Sequence, residues 1–318
     1  MNNTRYYHTA SVLTNGKVLV TGGYNGVSYL KSAELYDPST GLWNITGNMN
    51  YGRYYHTASV LTNGKVLVTG GYNGVSYLKS AELYDPSAGL WNITGNMNYA
   101  RYHHTASVLT NGTVLVTGGY NGSYLKSAEL YDPSIGLWNI TGNLNYGRYY
   151  HTASVLTNGK VLVGGGISNN VSTELYDPST GLWNIAGNMN NARRDHTASV
   201  LTNGKVLVAG GTINSVSTEL YDPSTGLWNI TGNLNYGRYY HTASVLTNGK
   251  VLVTGGYNGV SYLKSAELYD PSTGLWNITG NMNYGRYYHT ASVLTNGKVL
   301  ATGGYNSGYL TSAELYQR

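Results

Sequence analysis

The tetrapeptide His-Thr-Ala-Ser begins at His8, His56, His104, His151, His196, His241 and His289, at intervals of 48, 48, 47, 45, 45 and 48 residues. A period of this length means that one supersecondary unit is stacked many times, because so small a unit cannot bury its own apolar faces. Begun at the Arg of each, the units run 5–52, 53–100, 101–147, 148–192, 193–237, 238–285 and 286–318, the last of them cut short. A chain of 318 residues suggests about two domains on length alone, but the repeat overrides that prior and points to one domain over 1–318.

Inside a unit, four short apolar or alternating runs are separated by turn chemistry, the pattern of strands and not of amphipathic helices. In unit one, His8 to Leu13 reads as a strand, Thr14-Asn15-Gly16 as a hairpin suited to positive φ, and Lys17 to Thr21 as a second strand ended by Gly22-Gly23. After the loop Tyr24 to Lys31, a third strand over Ser32 to Tyr36 meets Asp37-Pro38-Ser39-Thr40-Gly41, and Leu42 to Thr46 forms the fourth. The 43 Gly and 33 Tyr, with no Phe and no Cys, fit many tight turns and a core in which Tyr supplies the aromatic packing. Units of four antiparallel strands stacked radially predict an all-β, seven-bladed β-propeller. A β-helix needs much shorter coils, and leucine-rich or helical repeats need another apolar period. Trp occurs in six fourth strands only, at positions 43, 91, 138, 183, 228 and 276, so the last blade lacks its outermost strand. That leaves Glu314-Leu315-Tyr316 as an open edge able to pair with another strand on an otherwise monomeric chain. Four residues precede Arg5, too few for a full outer strand, which argues against strand exchange between the termini.

The landmarks Arg-x-x-His before the first strand, Gly-Gly after the second, Tyr-Asp-Pro after the third and Trp in the fourth resemble the kelch repeat, over the whole chain and in six or seven copies each. The resemblance is to the kelch-repeat β-propellers and the related central domain of galactose oxidase. It implies a first strand innermost and a fourth outermost. It also implies a role for the repeated Arg, since in kelch propellers that bind acidic peptides, and in the galactose oxidase propeller, an Arg at this place contacts the ligand.

With that strand order, the turn face holds six Lys against the six Asp of the Asp-Pro turns and nets to zero. The loop face holds Arg5, Arg53, Arg101, Arg148, Arg193, Arg238 and Arg286, with Arg194 and Lys31, Lys79, Lys126 and Lys264, against Asp195 alone, a net charge of +11. An Arg-lined mouth around a central channel attracts anions and pairs with carboxylates bidentately. The alternative is that each Arg locks its own loop through backbone carbonyls. Around these Arg lie Tyr54, Tyr55, Tyr149, Tyr239 and Tyr287, set among Asn, Ser and Gly in the manner of antibody loops. The same rings also serve for packing between blades. The leading reading is a non-enzymatic scaffold that binds a protein or acidic peptide on this face. A glycan-binding module and a structural or engineered repeat without an evolved ligand are the alternatives.

Near-identical repeats present like groups everywhere, whereas catalysis needs unlike groups converging at one place. No nucleophile elbow, His-Glu-x-x-His or phosphate-binding loop occurs, and the copper site of galactose oxidase requires a Cys that this chain lacks. No cofactor is expected. Seven equivalent His stand too far apart for bonds of about 2 Å to one shared metal ion, and each reads as a buried residue bonded within its blade. The Glu from Glu34 to Glu314 read as pairing with neighbouring donors. Arg residues around a mouth do not form the stripe that a nucleic-acid backbone requires. No run of about 18 apolar residues and no apolar signal sequence occurs, so the expectation is a soluble chain without membrane contact, of unread compartment. Sequons such as Asn44-Ile45-Thr46 recur in five of six equivalent positions and bear on glycosylation only if the chain is secreted.

Asymmetry is confined to units four and five. Their long loop shortens to Ile167-Ser168-Asn169-Asn170-Val171 and Ile213-Asn214-Ser215-Val216, and unit five carries Arg193-Arg194-Asp195, with a second Arg and the one loop-face acid in place of the Tyr pair. If one sector holds a specific site, it is this one; otherwise these are older, less homogenised copies.

Overall fold

In blade one, Asn15 and Gly16 close the first hairpin: Gly16 lies at φ 80° and the Asn15 side chain accepts the Lys17 amide at 3.1 Å. This turn joins β1 (Thr9–Val12) to β2 (Val18–Thr21), and β3 (Ala33–Asp37) and β4 (Leu42–Ile45) complete an antiparallel sheet in sequential order. The strands begin and end within two residues of the runs read from the sequence. The computed structural model describes residues 1–167, 170–213 and 215–317. Among the described residues there is no helix, six sheets have four strands, and the last has three, Thr290–Val293, Val299–Thr302 and Ala313–Tyr316. The fold is a seven-bladed β-propeller whose final blade lacks the outermost strand; Leu315 on its edge is 46 % exposed.

The chain forms two compact units, one of Met1–Tyr149 with Thr302–Gly304 and Gly308–Ala313, the other of Tyr150–Ala301 with Tyr305–Ser307 and Glu314–Arg318. In the first, blade one stacks on blade two through Leu13, Leu19, Ala33 and Met49 against Val66, Val68 and Tyr84. Blade two repeats this against blade three, with Val114, Val116 and Tyr131. The second unit uses the same scheme, for example Leu156, Leu162 and Met189 against Val206, Val208 and Tyr221. The second strand of a blade is buried on both faces for this reason, while the outer Leu42 and Ile45 stay 61 % and 71 % exposed. Polar ties reinforce the stack: Trp91 Nε1 donates to the Gly47 carbonyl at 2.8 Å, and the Tyr84 and Thr46 hydroxyls meet at 2.8 Å.

The diglycine does more than end a strand. Gly22, at φ 63°, faces the next blade so closely that a Cβ there would stand 2.6 Å from the Arg53 carbonyl oxygen and 2.7 Å from the His56 ring. The Gly23 amide donates to that same carbonyl at 2.7 Å. Glycine is required here by backbone conformation and by the neighbour together.

Candidate functional site

The seven repeated Arg do not line a mouth. Arg5, Arg53, Arg101, Arg148, Arg193, Arg238 and Arg286 are at most 1 % exposed. They pair with the Glu of their own blade's third strand, as in Arg5–Glu34 at 3.0 Å, Arg53–Glu82 at 2.8 Å, Arg101–Glu129 at 2.8 Å, Arg193–Glu219 at 2.9 Å, Arg238–Glu267 at 2.7 Å and Arg286–Glu314 at 2.5 Å. Arg148 and Glu174 are both fully buried. The planar guanidinium suits this position because its donors form a fork. In blade two, Arg53 donates to the carbonyls of Gly70 and Ser80 at 2.8 and 2.9 Å, to the Ser80 hydroxyl at 2.9 Å and to Glu82. Arg5, Arg53, Arg101, Arg193 and Arg238 each donate to two backbone carbonyls, which is the loop-locking alternative. Burial opposes the charge of Glu34, but the Asn2 amide and Arg5 outweigh it and hold its carboxyl below the usual range. Counted with the seven Glu that share their blades, the seven Arg cancel, and the loop-face charge falls from +11 to +4.

The repeated His are buried, as expected; His56 bonds to the Arg53 backbone of its own blade, and these His also bond across blades. His56 Nε2 lies 3.0 Å from Thr9 Oγ1 and 3.2 Å from Thr21 Oγ1 of the preceding blade. Burial, then the nearby Arg53, lowers the His56 pKa to about 3, so the ring is neutral. Among the described residues no group of three His, Cys, Asp or Glu is disposed to hold a metal ion.

Between each Arg and His lies a feature that the sequence reading missed. The second residue after the Arg is left-handed in all seven repeats: Tyr7, Tyr55, His103, Tyr150, Asp195, Tyr240 and Tyr288 have φ between 53° and 58°. Non-glycine residues rarely adopt this conformation, and its cost is on the order of 1–3 kcal/mol each. The surrounding hydrogen bonds impose it. In the first unit the amide of Tyr55 donates to the Tyr7 carbonyl at 3.4 Å and that of His103 to the Tyr55 carbonyl at 3.2 Å. In the second, the amides of Asp195, Tyr240 and Tyr288 donate to the carbonyls of Tyr150, Asp195 and Tyr240, each at 3.2 Å. Only the fixed spacing between the Arg and the His could have signalled this, since no Gly or Asn marks the slot.

The side chains at these left-handed positions differ between the units. In the first, the rings pack at a tilt: Tyr7 on Tyr55 at 3.6 Å between centroids and Tyr55 on His103 at 3.2 Å. In the second, Tyr240 lies 3.8 Å from Tyr288 but 6.4 Å from Tyr150, and the residue between them in the chain of amides is Asp195. The Asp195 side chain is 4 % exposed, and Arg194 Nε lies 3.7 Å from Oδ2 with its own side chain 42 % exposed. Tyr240 donates its hydroxyl to Asp195 and accepts from Tyr288. Burial raises the Asp195 pKa to about 7, against the opposing effects of Tyr240 and Arg194. Burial and the adjacent carboxylate also push the Tyr240 phenol up.

Tyrosines beside the left-handed positions form belts of partly exposed rings. Tyr54 meets Tyr29 at 5.5 Å and Tyr72 at 6.3 Å, and Tyr124 stacks on Tyr149 at 4.9 Å. In the second unit Tyr239 meets Tyr257 at 5.6 Å and Tyr262 stacks on Tyr287 at 5.3 Å. These rings pack on one another and keep part of their surface exposed. In blades four and five the belt residues are replaced by Ile167 and Thr212, β-branched residues at φ 45° and 57°. Of the shortened loops, Ser168, Asn169 and Asn214 lie outside the described residues.

Residues 2–166 match the family model of the KLHDC2/KLHL20/DRC7 kelch-repeats domain, and residues 238–283 match that of the kelch motif. Among solved structures, the fold is similar to that of a novel fungal alcohol oxidase with catalytic diversity among the AA5 family, in complex with copper. The TM-score is 0.79 at 19 % identity, covering 95 % of this chain and 70 % of the other; at that identity the likeness concerns the fold alone. No curated protein matches the sequence. More than half of the chain answers to one kelch-repeat model, a second kelch model matches blade six, and the blades carry the repeat's landmarks throughout: the chain belongs to the kelch-repeat family.

Proposed function

We propose that the chain is a non-enzymatic scaffold that binds an extended segment of a protein partner on its loop face, through the tyrosine belts and the left-handed row. Kelch-repeat domains generally mediate protein–protein interaction. The observation that carries the reading is the left-handed row. Seven non-glycine residues are held in a costly conformation by backbone hydrogen bonds, on the stretch of each repeat where side chains vary while the Arg and His around them do not. Half-buried Tyr flanked by Asn, Ser and Gly offers contact area at low entropy cost and adaptable hydrogen bonding. Lys31, Lys79, Lys126, Lys264 and Arg194 give the face a modest preference for acidic segments, now without the seven repeated Arg.

The test is a selection of displayed 12-residue peptides on the chain, followed by titration of the winners on Tyr54→Ala and Tyr287→Ala. The expected result is at least a tenfold loss of affinity, with peptide binding weakening only slightly between low and high salt. Failure to enrich any peptide, or affinities untouched by both substitutions, contradicts the reading.

A further inference from the structure

We propose that the Asp195 sector is a binding site for a single organic cation, the ammonium of a lysine side chain or of a peptide amino terminus, held between the Asp195 carboxylate and the rings of Tyr150, Tyr240 and Tyr288. The proposal deepens the peptide-binding reading by naming a group that the bound segment carries, and rests on it for the source of that group.

At the equivalent position the first unit carries Tyr7, Tyr55 and His103, whose rings touch in a continuous, tilted row. Asp195 has no ring, so the row is interrupted between Tyr150 and Tyr240, whose centroids stand 6.4 Å apart. The interruption is walled by aromatic surface and floored by a carboxylate, which is the chemistry that attracts an ammonium; a cation is drawn to ring faces within about 6 Å. The carboxylate accepts from Tyr240, whose oxygen in turn accepts from Tyr288, and an ionised carboxylate has about four acceptor positions to fill.

The groups acting on Asp195 are few. Tyr240 donates to it, Tyr239 lies near enough to be affected by its charge, Tyr150 offers its carbonyl to the Asp195 amide, and Arg194 is the cation. Arg194 does not neutralise it well: at 3.7 Å its Nε is beyond hydrogen-bond length, and the side chain is largely in water. It stands where a ligand cation would enter, as a tethered competitor. The carboxylate must be ionised to hold an ammonium, so binding displaces a proton from Asp195 and tightens as the pH rises through neutrality.

The experiment follows the Asp195 carboxyl by carbon NMR in chain labelled at Asp Cγ, while n-butylammonium chloride is added at constant ionic strength. The expected result is a saturable shift at pH 8, with a dissociation constant at least tenfold weaker at pH 6 and tighter in Arg194→Ala. Butylammonium binding, followed by calorimetry, disappears in Asp195→Asn and in Asp195→Tyr, the latter restoring the residue of five sibling repeats and so preserving the blade. No saturable shift, the same shift with sodium chloride alone, or binding that survives both Asp195 variants overturns the proposal. If butylammonium binds but no peptide is ever captured, the site stands and the peptide reading falls. If peptides bind without a cationic group and butylammonium does not, this proposal alone falls.

Discussion

The left-handed residues of the first unit and those of the second occupy the same slot of the same repeat and do different things with it. Tyr7, Tyr55 and His103 share one backbone conformation and use it to pack ring against ring. Tyr150, Asp195, Tyr240 and Tyr288 share that conformation and use it to bury a carboxylate beneath a phenol relay. Meanwhile the Arg–Glu strut and the His–Thr tie recur in both units. Repetition thus fixes the parts that build the blade, and the slot between them is where one copy can acquire chemistry without disturbing the fold.

The largest expected effect breaks the part that both units share. Arg53→Ala in the first unit and Arg193→Ala in the second each leave a buried Glu without its guanidinium. Each should lose about 3–5 kcal/mol in urea unfolding. A loss below about 1 kcal/mol in either would mean that the Arg is not a strut and would reopen its reading as a ligand contact.

The next effect belongs to the second unit alone. The Asp195 pKa is raised on folding, to about 7 from the ordinary value of 3.8. The native state therefore holds a proton that the unfolded chain releases, and stability from this group is present below about pH 4 and lost as the pH rises through 7. Relative to Asp195→Asn, the unsubstituted chain should weaken by about 4 kcal/mol between pH 4 and pH 8. A pH-independent difference between the two proteins would show that the carboxylate is ordinary, and the contrast between units would lose its basis.

The smallest effect per residue is again common to both. Burial lowers the pKa of His56 in the first unit and His196 in the second to about 3, with nearby Arg reinforcing it. Folded-state depression of a His means stability that is complete above the unfolded value near 6.5 and lost as the pH falls toward 3. Acidification from pH 7 to 5 should cost about 2 kcal/mol for each such His. Substituting His56 or His196 by Gln should remove equal shares of this slope; unequal shares would mean that the His–Thr tie differs between units.

The blades were legible because they rest on local chemistry repeated seven times: Asn-Gly for the hairpin, Gly-Gly for the close approach of the next blade, Asp-Pro for the outer turn. The missing outer strand was legible from a missing Trp. The Arg were placed on the correct segment and given the wrong surroundings. Position along a repeat says which loop a residue is on, but not that the Glu 29 residues later in blades one, two and six would reach back to cover it. The His were rightly read as buried, yet their partners Thr9 and Thr21 lie in the preceding blade, a relation that only stacking creates. The singularity of Arg194 and Asp195 was visible as a break in the pattern. Its consequence was not, because the hydroxyl bonded to the Asp195 side chain belongs to Tyr240, one blade further along.

The most direct test of the claim that the chemistry resides in one left-handed slot is an NMR pH titration of the Asp carboxyls. The chain has seven Asp, six of them in the Asp-Pro turns. In those turns, hydrogen bonds from the following Ser, joined in five blades by a Lys, lower the carboxyl pKa. The account predicts six resonances that titrate below the ordinary Asp range and one that titrates near pH 7 and vanishes in Asp195→Asn. Seven resonances that all titrate below pH 4 would contradict it.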